Sequence, residues 1–457
     1  MADEIFVVTS SGSGHLFPSI ELCHHISSRN YITTLVLPSS LSSSVPSSFL
    51  QNPLLRLAAI TAAPIFRGPD SDASRQQAVL ELEAHLSKRL AGRPDPSSSR
   101  LLCAVVDFQM AWTKHVFWKF NVPVVGFFSF GACAAAMEHA AWKARVADMM
   151  PGETRALQGL PEEMSLSYLE LQLLPRGGAG GGGPKLGNQP PWVPAIEGAS
   201  GLMFNTCDDL ERPFLEYMSK EMGMPVWAIG PLLPQRYWAA SASASLLRDG
   251  EVRHHSRASS IADDDLIQWL DSKPRGSVLY VSFGSVVVPT LEEHQQLASA
   301  LAECTRPFIW VMQTGSNQGL DTTIFRNSNR ALLINGWAPQ LLILSHPSLG
   351  GFLSHCGWNS TLEAIGLGVP ILGWPIRGDQ HLTAKLAASW LKIGHLACKN
   401  GSGVMTRKED LIEKIEILMS DIDVRRRAME LRSKFENGFP KSSKVAFDLF
   451  EDFINQR

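Results

Sequence analysis

Short runs of apolar, β-branched and aromatic residues recur along the first half of the chain and predict buried strands. They cover residues 5–8, 31–37, 101–106 and 122–128, and polar or glycine-bearing stretches separate them. Pro18 is expected to open the first helix, because proline is favoured in a first turn. Strands that alternate with helical stretches indicate βαβ units and a parallel sheet.

The same pattern restarts in the second half. Thr290 and Glu293 form a capping-box sequence, which predicts a helix start, and a similar box begins at Thr406. The last apolar-faced helix is expected over 445–453. The predicted strands of this half cover 277–283, 308–312, 332–334, 350–353 and 369–374. The pattern therefore predicts an α/β protein with two similar halves.

Two segments depart from this alternation. The glycine-rich stretch 176–184 is predicted to be a flexible surface loop. Residues 238–263, which are rich in Ala and Ser with clustered charge, are expected to form a second flexible loop near the domain junction.

Composition narrows the class of protein. Apolar residues make up 45% and charged residues 19%, as in a compact soluble protein, and the net charge of −3 gives no electrostatic case for nucleic acid. The acidic start and the absence of a long apolar run predict a cytoplasmic protein without a membrane span. Seven scattered cysteines without a CxxC motif support neither a disulfide framework nor a zinc site.

Two polar residues stand where the first predicted sheet would bind a ligand. His15 lies just past the first strand and Asp107 ends another, and ligands bind beyond the carboxyl ends of parallel strands. An imidazole oriented by a carboxylate is a plausible general base. From position alone, His15 could equally cap a loop and Asp107 could be a turn residue.

The second half offers an anion site and a stacking surface. Residues 355–360 follow a predicted strand and precede a helical run, so backbone N–H groups would face outward there. Gly284 and Ser285 follow another strand. Trp337 in a proline-restrained loop could stack on a base. An ordinary capped helix and a core tryptophan are the alternatives.

Rival nucleotide motifs are incomplete. The loop at Gly12 and Gly14 lacks the third glycine of a dinucleotide fingerprint, and the formal match at 178–183 follows no strand and opens no helix. P-loop, HExxH and GxSxG motifs are absent. A nicotinamide-dependent dehydrogenase is therefore not expected.

The segment Trp337-Ala-Pro-Gln340, then His355-Cys-Gly-Trp-Asn-Ser360, Glu363 and Asp379-Gln380, resembles the signature box of plant family 1 UDP-dependent glycosyltransferases. The resemblance extends to His15 with Pro18, to Asp107 and to residues 282–285, so it covers essentially the whole chain.

The resemblance implies the GT-B fold, in which two Rossmann-like parallel-sheet domains face a cleft. It implies an acceptor-binding domain over 1–237 and a UDP-sugar-binding domain over 264–437. A C-terminal helix, 438–457, would pack back on the first domain.

The resemblance also implies a role for each matching residue. His15 and Asp107 would form the catalytic pair, and Trp337 would stack on uracil beside the backbone of Ala338. Gln340 and Glu363 would hold the ribose. The diphosphate would be held by Ser285, His355, Asn359 and Ser360, and the sugar would be contacted by Trp358, Asp379 and Gln380. Ser129 would lie near the sugar and phosphate.

The implied reaction is a single inverting displacement that needs no metal and no cofactor. Glucose from UDP-glucose would pass to a hydroxyl of a small aromatic metabolite, such as a phenolic or flavonoid. A C-glycosyltransferase with the same donor is the alternative, with Phe127, Phe128 and Trp142 shaping an aromatic pocket or belonging to the core. A third possible function is that of a non-catalytic UDP-sugar-binding protein. A monomer is expected.

Overall fold

The computed structural model describes residues 2–61, 71–91, 99–173, 185–235, 237–238, 246–249, 259–313, 320–326, 328–397 and 407–456. The chain divides into two compact units. The first comprises Met1–Ala132, Pro191–Pro234 and Pro440–Arg457, and the second comprises Cys133–Pro190 and Gln235–Phe439. The domain boundaries inferred from the sequence stay a prediction, and they differ from these units mainly in keeping 133–190 with the first half.

The strands of the first unit are mainly apolar, and all except the third are almost entirely buried, as is expected of parallel strands covered on both faces. They are β1 (Glu4–Val8), β2 (Ile32–Pro38), β3 (Leu55–Ile60), β4 (Leu101–Asp107), β5 (Val124–Phe128), β8 (Leu202–Phe204) and β9 (Val226–Ala228). Among the described residues they form one parallel sheet in the order β3-β2-β1-β4-β5-β8-β9.

The second unit repeats this design. Its strands are β6 (Thr154–Arg155), β7 (Leu166–Ser167), β10 (Val278–Ser282), β11 (Phe308–Met312), β12 (Ala331–Asn335), β13 (Leu349–Ser354), β14 (Ile371–Gly373) and β15 (Gly394–Leu396). Over the described ranges, β12-β11-β10-β13-β14-β15 make a parallel sheet, while β6 and β7 form a separate antiparallel pair. Each unit is thus a Rossmann-like α/β sheet.

Helices connect and cover the strands. Their bounds are Ser13–Ser27, Ser47–Gln51, Ser71–Ala91, Lys114–Lys119, Ala132–Lys143, Tyr168–Leu173, Trp192–Ala195, Asp208–Met222, Asp263–Asp271, Leu291–Glu303, Gln340–Ser345, Trp358–Leu367, Gln380–Lys385, Lys408–Ser420, Ile422–Ser433 and Lys441–Asn455.

Each strand predicted from the sequence overlaps an observed strand, and the Thr290 capping box is present with both of its hydrogen bonds. The expectation that Pro18 opens the first helix is wrong. The helix begins at Ser13, after Gly12 turns the chain with a φ of 99°, and Pro18 lies in its second turn. A proline this close to the N-terminus removes only one helical hydrogen bond.

Some predicted features lie outside the described residues: the glycine-rich loop 176–184, the box at Thr406, and most of the predicted junction loop. Of that loop the structure describes Trp238, 246–249 and 259–263, and here Trp238, Leu247 and Asp249 are buried. The described cysteines are buried, and none of them forms a disulfide. No helix within the described ranges is both long and apolar enough to cross a bilayer.

The C-terminal helix, Lys441–Asn455, packs on the first unit through aromatic contacts. Trp227 lies edge-on to Phe450 and Phe453, with ring centroids 5.3 and 5.1 Å away. His25 stacks on Phe447 at 5.3 Å. Burial, with help from the nearby Arg29, His24 and Lys444 charges, lowers the pKa of His25 to about 4.

Acid should weaken the fold partly through this stacked ring. Between pH 6.5 and about 4, His25 is neutral in the folded protein but takes up a proton in the unfolded chain. Its contribution to the free energy of unfolding is therefore complete above pH 6.5 and is lost as the pH falls from 6.5 to about 4. In His25→Phe, the free energy of unfolding measured by denaturant titration should fall less across this window than in the wild type. The exposed His115, changed to Phe, is the control and should keep the wild-type pH slope.

Gly366 tests the packing of the helix Trp358–Leu367. An alanine in a helix interior usually stabilises by about 1 kcal/mol over glycine, but a Cβ here would lie 2.1 Å from the Tyr237 hydroxyl oxygen. Gly366→Ala should therefore destabilise the protein by about 1–3 kcal/mol. Gly14→Ala, a helical glycine with nothing within 4 Å, should leave the melting temperature unchanged or raise it. A more stable Gly366→Ala variant would contradict the described packing.

Candidate active site

The first candidate site lies at the point in the first sheet from which the strand order grows in opposite directions. β1 and β4 are adjacent parallel strands, but β2 and β5 flank them on opposite sides, so the connections leave the pair in opposite directions. Such a switch point opens a crevice at the carboxyl ends of the strands. The turn after β1 leads into the helix that carries His15, and β4 ends at Asp107.

The structure brings His15 and Asp107 into direct contact. His15 Nδ1 lies 2.6 Å from Asp107 Oδ2, and the Asp107 side chain is completely buried whereas His15 is 18% exposed. The other carboxylate oxygen accepts the Gln109 N–H at 2.9 Å, which fixes the carboxylate. With Asp107 accepting from Nδ1–H, Nε2 is the unprotonated nitrogen, and this is the tautomer a general base requires.

Ser129 joins this pair. Its Oγ lies 3.0 Å from His15 Nδ1, so the hydroxyl contacts the imidazole itself. The Asn205 amide donates to the Ser129 carbonyl at 3.1 Å and accepts from the Leu232 N–H at 2.7 Å. Asn205 therefore holds the turn that bears Ser129. Sequence reasoning missed Asn205, because it lies in the segment after β8, a strand that was not predicted.

The aromatic residues considered for the acceptor occupy different environments. Phe127 and Phe128 are completely buried, and Phe128 stacks on Phe204 at 4.5 Å. This favours the core role for both. Trp142 is partly buried and lies edge-on to His139, with ring centroids 5.7 Å apart.

The second candidate site lies at the corresponding switch point of the other sheet. β10 and β13 are adjacent, and Ser282 pairs with Ser354 at their carboxyl ends. Gly284 follows the first strand with a φ of 72°, and His355 follows the second. A Cβ on Gly284 would lie 2.7 Å from the His355 ring, and a Cβ on Gly357 would lie 2.4 Å from its Nε2. Only glycine allows this approach.

Two properties of His355, its lowered pKa and its buried Nδ1, suit it to binding a ligand. Burial lowers its pKa to about 4, and a hydrogen bond with the Ser282 backbone only partly opposes this, so the ring is neutral near pH 7. Its Nδ1 is buried and has no hydrogen-bond partner among the described residues. A bound anion would supply that partner and would favour protonation of the ring.

The helix Trp358–Leu367 begins three residues after His355. Its N-cap, Gly357, offers no capping side chain, and the first turn contains no acidic residue. Asn359 and Ser360 lie in this first turn. An N-terminus of this kind attracts a diphosphate through its N–H groups and its dipole. Ser285, after β10, is exposed at the end of the neighbouring strand.

Gln340, Ser360 and Glu363 form a connected polar group. The Gln340 amide donates to Ser360 Oγ at 3.0 Å and to Glu363 Oε2 at 2.8 Å. Its oxygen accepts from the Tyr280 hydroxyl at 3.2 Å. Both amide hydrogens are used, so Gln340 has only an acceptor position left for a ligand hydroxyl. Ahead of it, Trp337 is partly buried and Ala338 is buried.

Gln380 stabilises the last part of the stretch from Trp337 to Gln380. Its side-chain oxygen accepts the N–H groups of Ile376 and Arg377, both at 3.0 Å, so only its amide hydrogens remain for a ligand. Asp379 is the N-cap of the helix Gln380–Lys385 and is partly buried, and Trp358 is buried.

Gln313 is a further residue that sequence reasoning missed. Its amide donates to the Gly284 carbonyl at 2.6 Å and to the Val287 carbonyl at 2.8 Å, so it holds the loop that bears Ser285. It directly follows β11, which is the only signal that could have identified it. The described part of the chain contains no group of three or more His, Cys, Asp or Glu side chains arranged to hold a metal ion.

Comparison with known proteins agrees with these features. A family model described as UDP-glucoronosyl and UDP-glucosyl transferase matches residues 255–438. UDP-glycosyltransferase 73C5 of Arabidopsis thaliana is 30% identical over 494 residues, which covers 96% of this chain and 94% of that protein. Scopoletin glucosyltransferase of Nicotiana tabacum is 31% identical over 334 residues, covering 69% and 66% of the two chains.

A solved structure of similar fold is Phytolacca americana UGT2 complexed with UDP-2fluoro-glucose and pterostilbene. It has a TM-score of 0.75 at 22% identity and covers 100% of this chain and 99% of that one. The two parallel Rossmann-like sheets are therefore those of the GT-B fold. Because a relative at 30% identity spans nearly the full length of both sequences, this chain belongs to the plant family 1 UDP-dependent glycosyltransferases.

Proposed function

We propose that this enzyme is an inverting glucosyltransferase that transfers glucose from UDP-glucose to a hydroxyl group of a small phenolic plant metabolite. The observation that carries the proposal is the 2.6 Å contact between His15 and the buried Asp107. A protein that only bound a UDP-sugar would have no need for an imidazole held in this tautomer by a buried carboxylate.

The chemistry follows from that pair. His15 Nε2 takes the proton of the acceptor hydroxyl while the hydroxyl oxygen attacks the anomeric carbon of glucose. The bond from that carbon to the diphosphate breaks on the opposite face, and UDP leaves with the electron pair. Asp107 stabilises the imidazolium that forms. One displacement of this kind inverts the anomeric configuration.

The residues of the second unit suit the leaving group. The uncapped start of the helix Trp358–Leu367 and the buried Nδ1 of His355 offer a diphosphate its partners. Gln340 and Glu363 offer acceptor oxygens for ribose hydroxyls, and the Gln380 amide offers donors for glucose hydroxyls. Independence from metal ions, a monomeric state and a cytoplasmic location stay predictions from the sequence.

Glucose and a phenolic acceptor are supported by two of the related proteins. One relative is named a scopoletin glucosyltransferase. The Phytolacca protein of the same fold holds a fluorinated UDP-glucose together with pterostilbene. A panel of phenolics incubated with UDP-glucose, with the products identified by mass, tests this assignment directly. Transfer from other UDP-sugars with no transfer from UDP-glucose would overturn it.

His15→Ala should lower kcat by about 10²- to 10⁴-fold, because the acceptor proton loses its base. The dissociation constant of UDP, measured by calorimetry, should stay within about twofold of wild type, since no part of UDP is proposed to touch His15. Asp107→Asn should also lower kcat with UDP binding retained. His115→Ala, at an exposed position, is the control. Wild-type turnover in His15→Ala would exclude the proposed mechanism.

The bond formed distinguishes oxygen from carbon transfer. We expect an O-glucoside, so heating the purified product in acid should release free glucose and the original phenolic. A C-glycoside has a carbon–carbon bond at the anomeric position and would survive this treatment. Recovery of an intact, glucose-bearing product would establish the C-glycosyltransferase alternative instead.

A further inference from the structure

Asp249 lies in the segment that the sequence predicts as a loop, yet it is only 5% exposed. Its neighbour Leu247 is 2% exposed. A buried carboxylate is costly unless hydrogen bonds satisfy it. The partners of Asp249 therefore show what this segment does.

Asp249 caps the helix Gln340–Ser345 from outside the helix. Its Oδ2 accepts the N–H of Leu341 at 2.9 Å and the N–H of Leu342 at 3.2 Å. The helix's own N-cap is Pro339, which has no side-chain acceptor, so the carboxylate supplies the missing cap. Hydrogen bonds to an ionised acceptor are stronger than those between neutral groups.

The same segment also holds the other end of this helix. The Leu247 N–H donates to Ser345 Oγ at 3.0 Å. A helix of six residues is not stable by itself, because helix nucleation is costly and few bonds follow it. Its position depends on contacts of this kind and on the packing of its buried leucines.

The helix matters because its first residue is Gln340. The Gln340 amide is already fixed by Tyr280, Ser360 and Glu363, so its side chain has little freedom to compensate if the backbone moves. Asp249 binds the two residues that follow Gln340 directly. The carboxylate therefore holds the backbone from which the Gln340 side chain extends.

We propose that Asp249 is a positioning residue for the nucleotide end of the donor and acts through Gln340. The inference rests on the proposed function only in taking Gln340 as a ribose contact. Loss of the cap would shift the start of the helix and weaken binding of both UDP and UDP-glucose. Chemistry and acceptor binding would be unaffected, because ribose contacts are made equally in the ground and transition states.

Asp249→Ala should raise the KM for UDP-glucose and the Kd of UDP about tenfold, with kcat and the acceptor KM within about twofold of wild type. Asp249→Asn keeps the size and one acceptor oxygen, so it should raise both constants by no more than about threefold. The direction of the change in the Kd of UDP is informative. Removing a negative charge would by itself favour binding of the anionic nucleotide and lower the Kd, so a higher Kd indicates loss of the cap.

Asp264→Ala is the matched control. Asp264 is an exposed carboxylate whose Oδ1 accepts from Arg248 at 2.8 Å, and its removal should leave every constant unchanged. Gln340→Ala should raise the Kd of UDP by itself. If Asp249 acts through Gln340, the double variant should bind UDP no more weakly than Gln340→Ala does.

Two results would overturn the inference. One is an unchanged Kd for UDP in a folded Asp249→Ala protein while Gln340→Ala binds weakly. The other is evidence of a purely structural role: either both Asp249 variants fail to fold, or kcat falls while the KM values for the donor and the acceptor both rise. An unchanged Kd in Gln340→Ala would instead remove the ribose assignment and so count against the proposed function itself.

Discussion

Parallel sheets impose one constraint on which both candidate sites depend. Crossover connections between parallel strands share one hand, so a sheet that grows in both directions from its centre must contain a point where successive connections diverge. In the first sheet this point lies between β1 and β4, and in the second between β10 and β13. The strands there are short, apolar and buried, and the polar residues begin where they end. His15 with Asp107, and Gly284 with His355, are therefore brought together by sheet topology, although they are far apart in sequence.

Buried polar groups then complete each site from a distance. A carboxylate or amide removed from water must find hydrogen-bond partners, and the partners it finds are fixed in place in turn. Asp107 orients His15, Asn205 holds the turn at Ser129, and Gln313 holds the loop at Gly284. Gln380 uses its oxygen on the backbone at 376–377. These side chains limit what each site can offer, since an oxygen or hydrogen already bonded to the protein is not available to a ligand.

The strands at the switch points could be predicted from the sequence, because a run such as residues 5–8 is apolar throughout. Strands β3, β8, β9 and β15 could not. β8, β9 and β15 contain only three residues each, and the polar Arg56 interrupts β3, so neither length nor periodicity separates them from a loop. The pairing of His15 with Asp107 was predictable as a proximity at one edge of the sheet. The partners Asn205, Gln313 and Asp249 were not, because a hydrogen bond between distant residues leaves no mark in either local sequence.

The donor and acceptor sides differ in what a sequence can indicate. Most of the residues proposed for the donor lie within one stretch, from Trp337 to Gln380, since one βα unit and its neighbours present backbone N–H groups, glycines and a few polar side chains at fixed spacing. An acceptor pocket is lined by apolar residues, and apolar residues also make the core. Phe127 and Phe128 illustrate the difficulty, because both lie at the end of β5 and both are completely buried. Hydrophobicity alone cannot distinguish an apolar residue that contacts a ligand from one that is buried in the core. Recognition of the acceptor therefore depends on accessible apolar surface, which is a property of the folded chain.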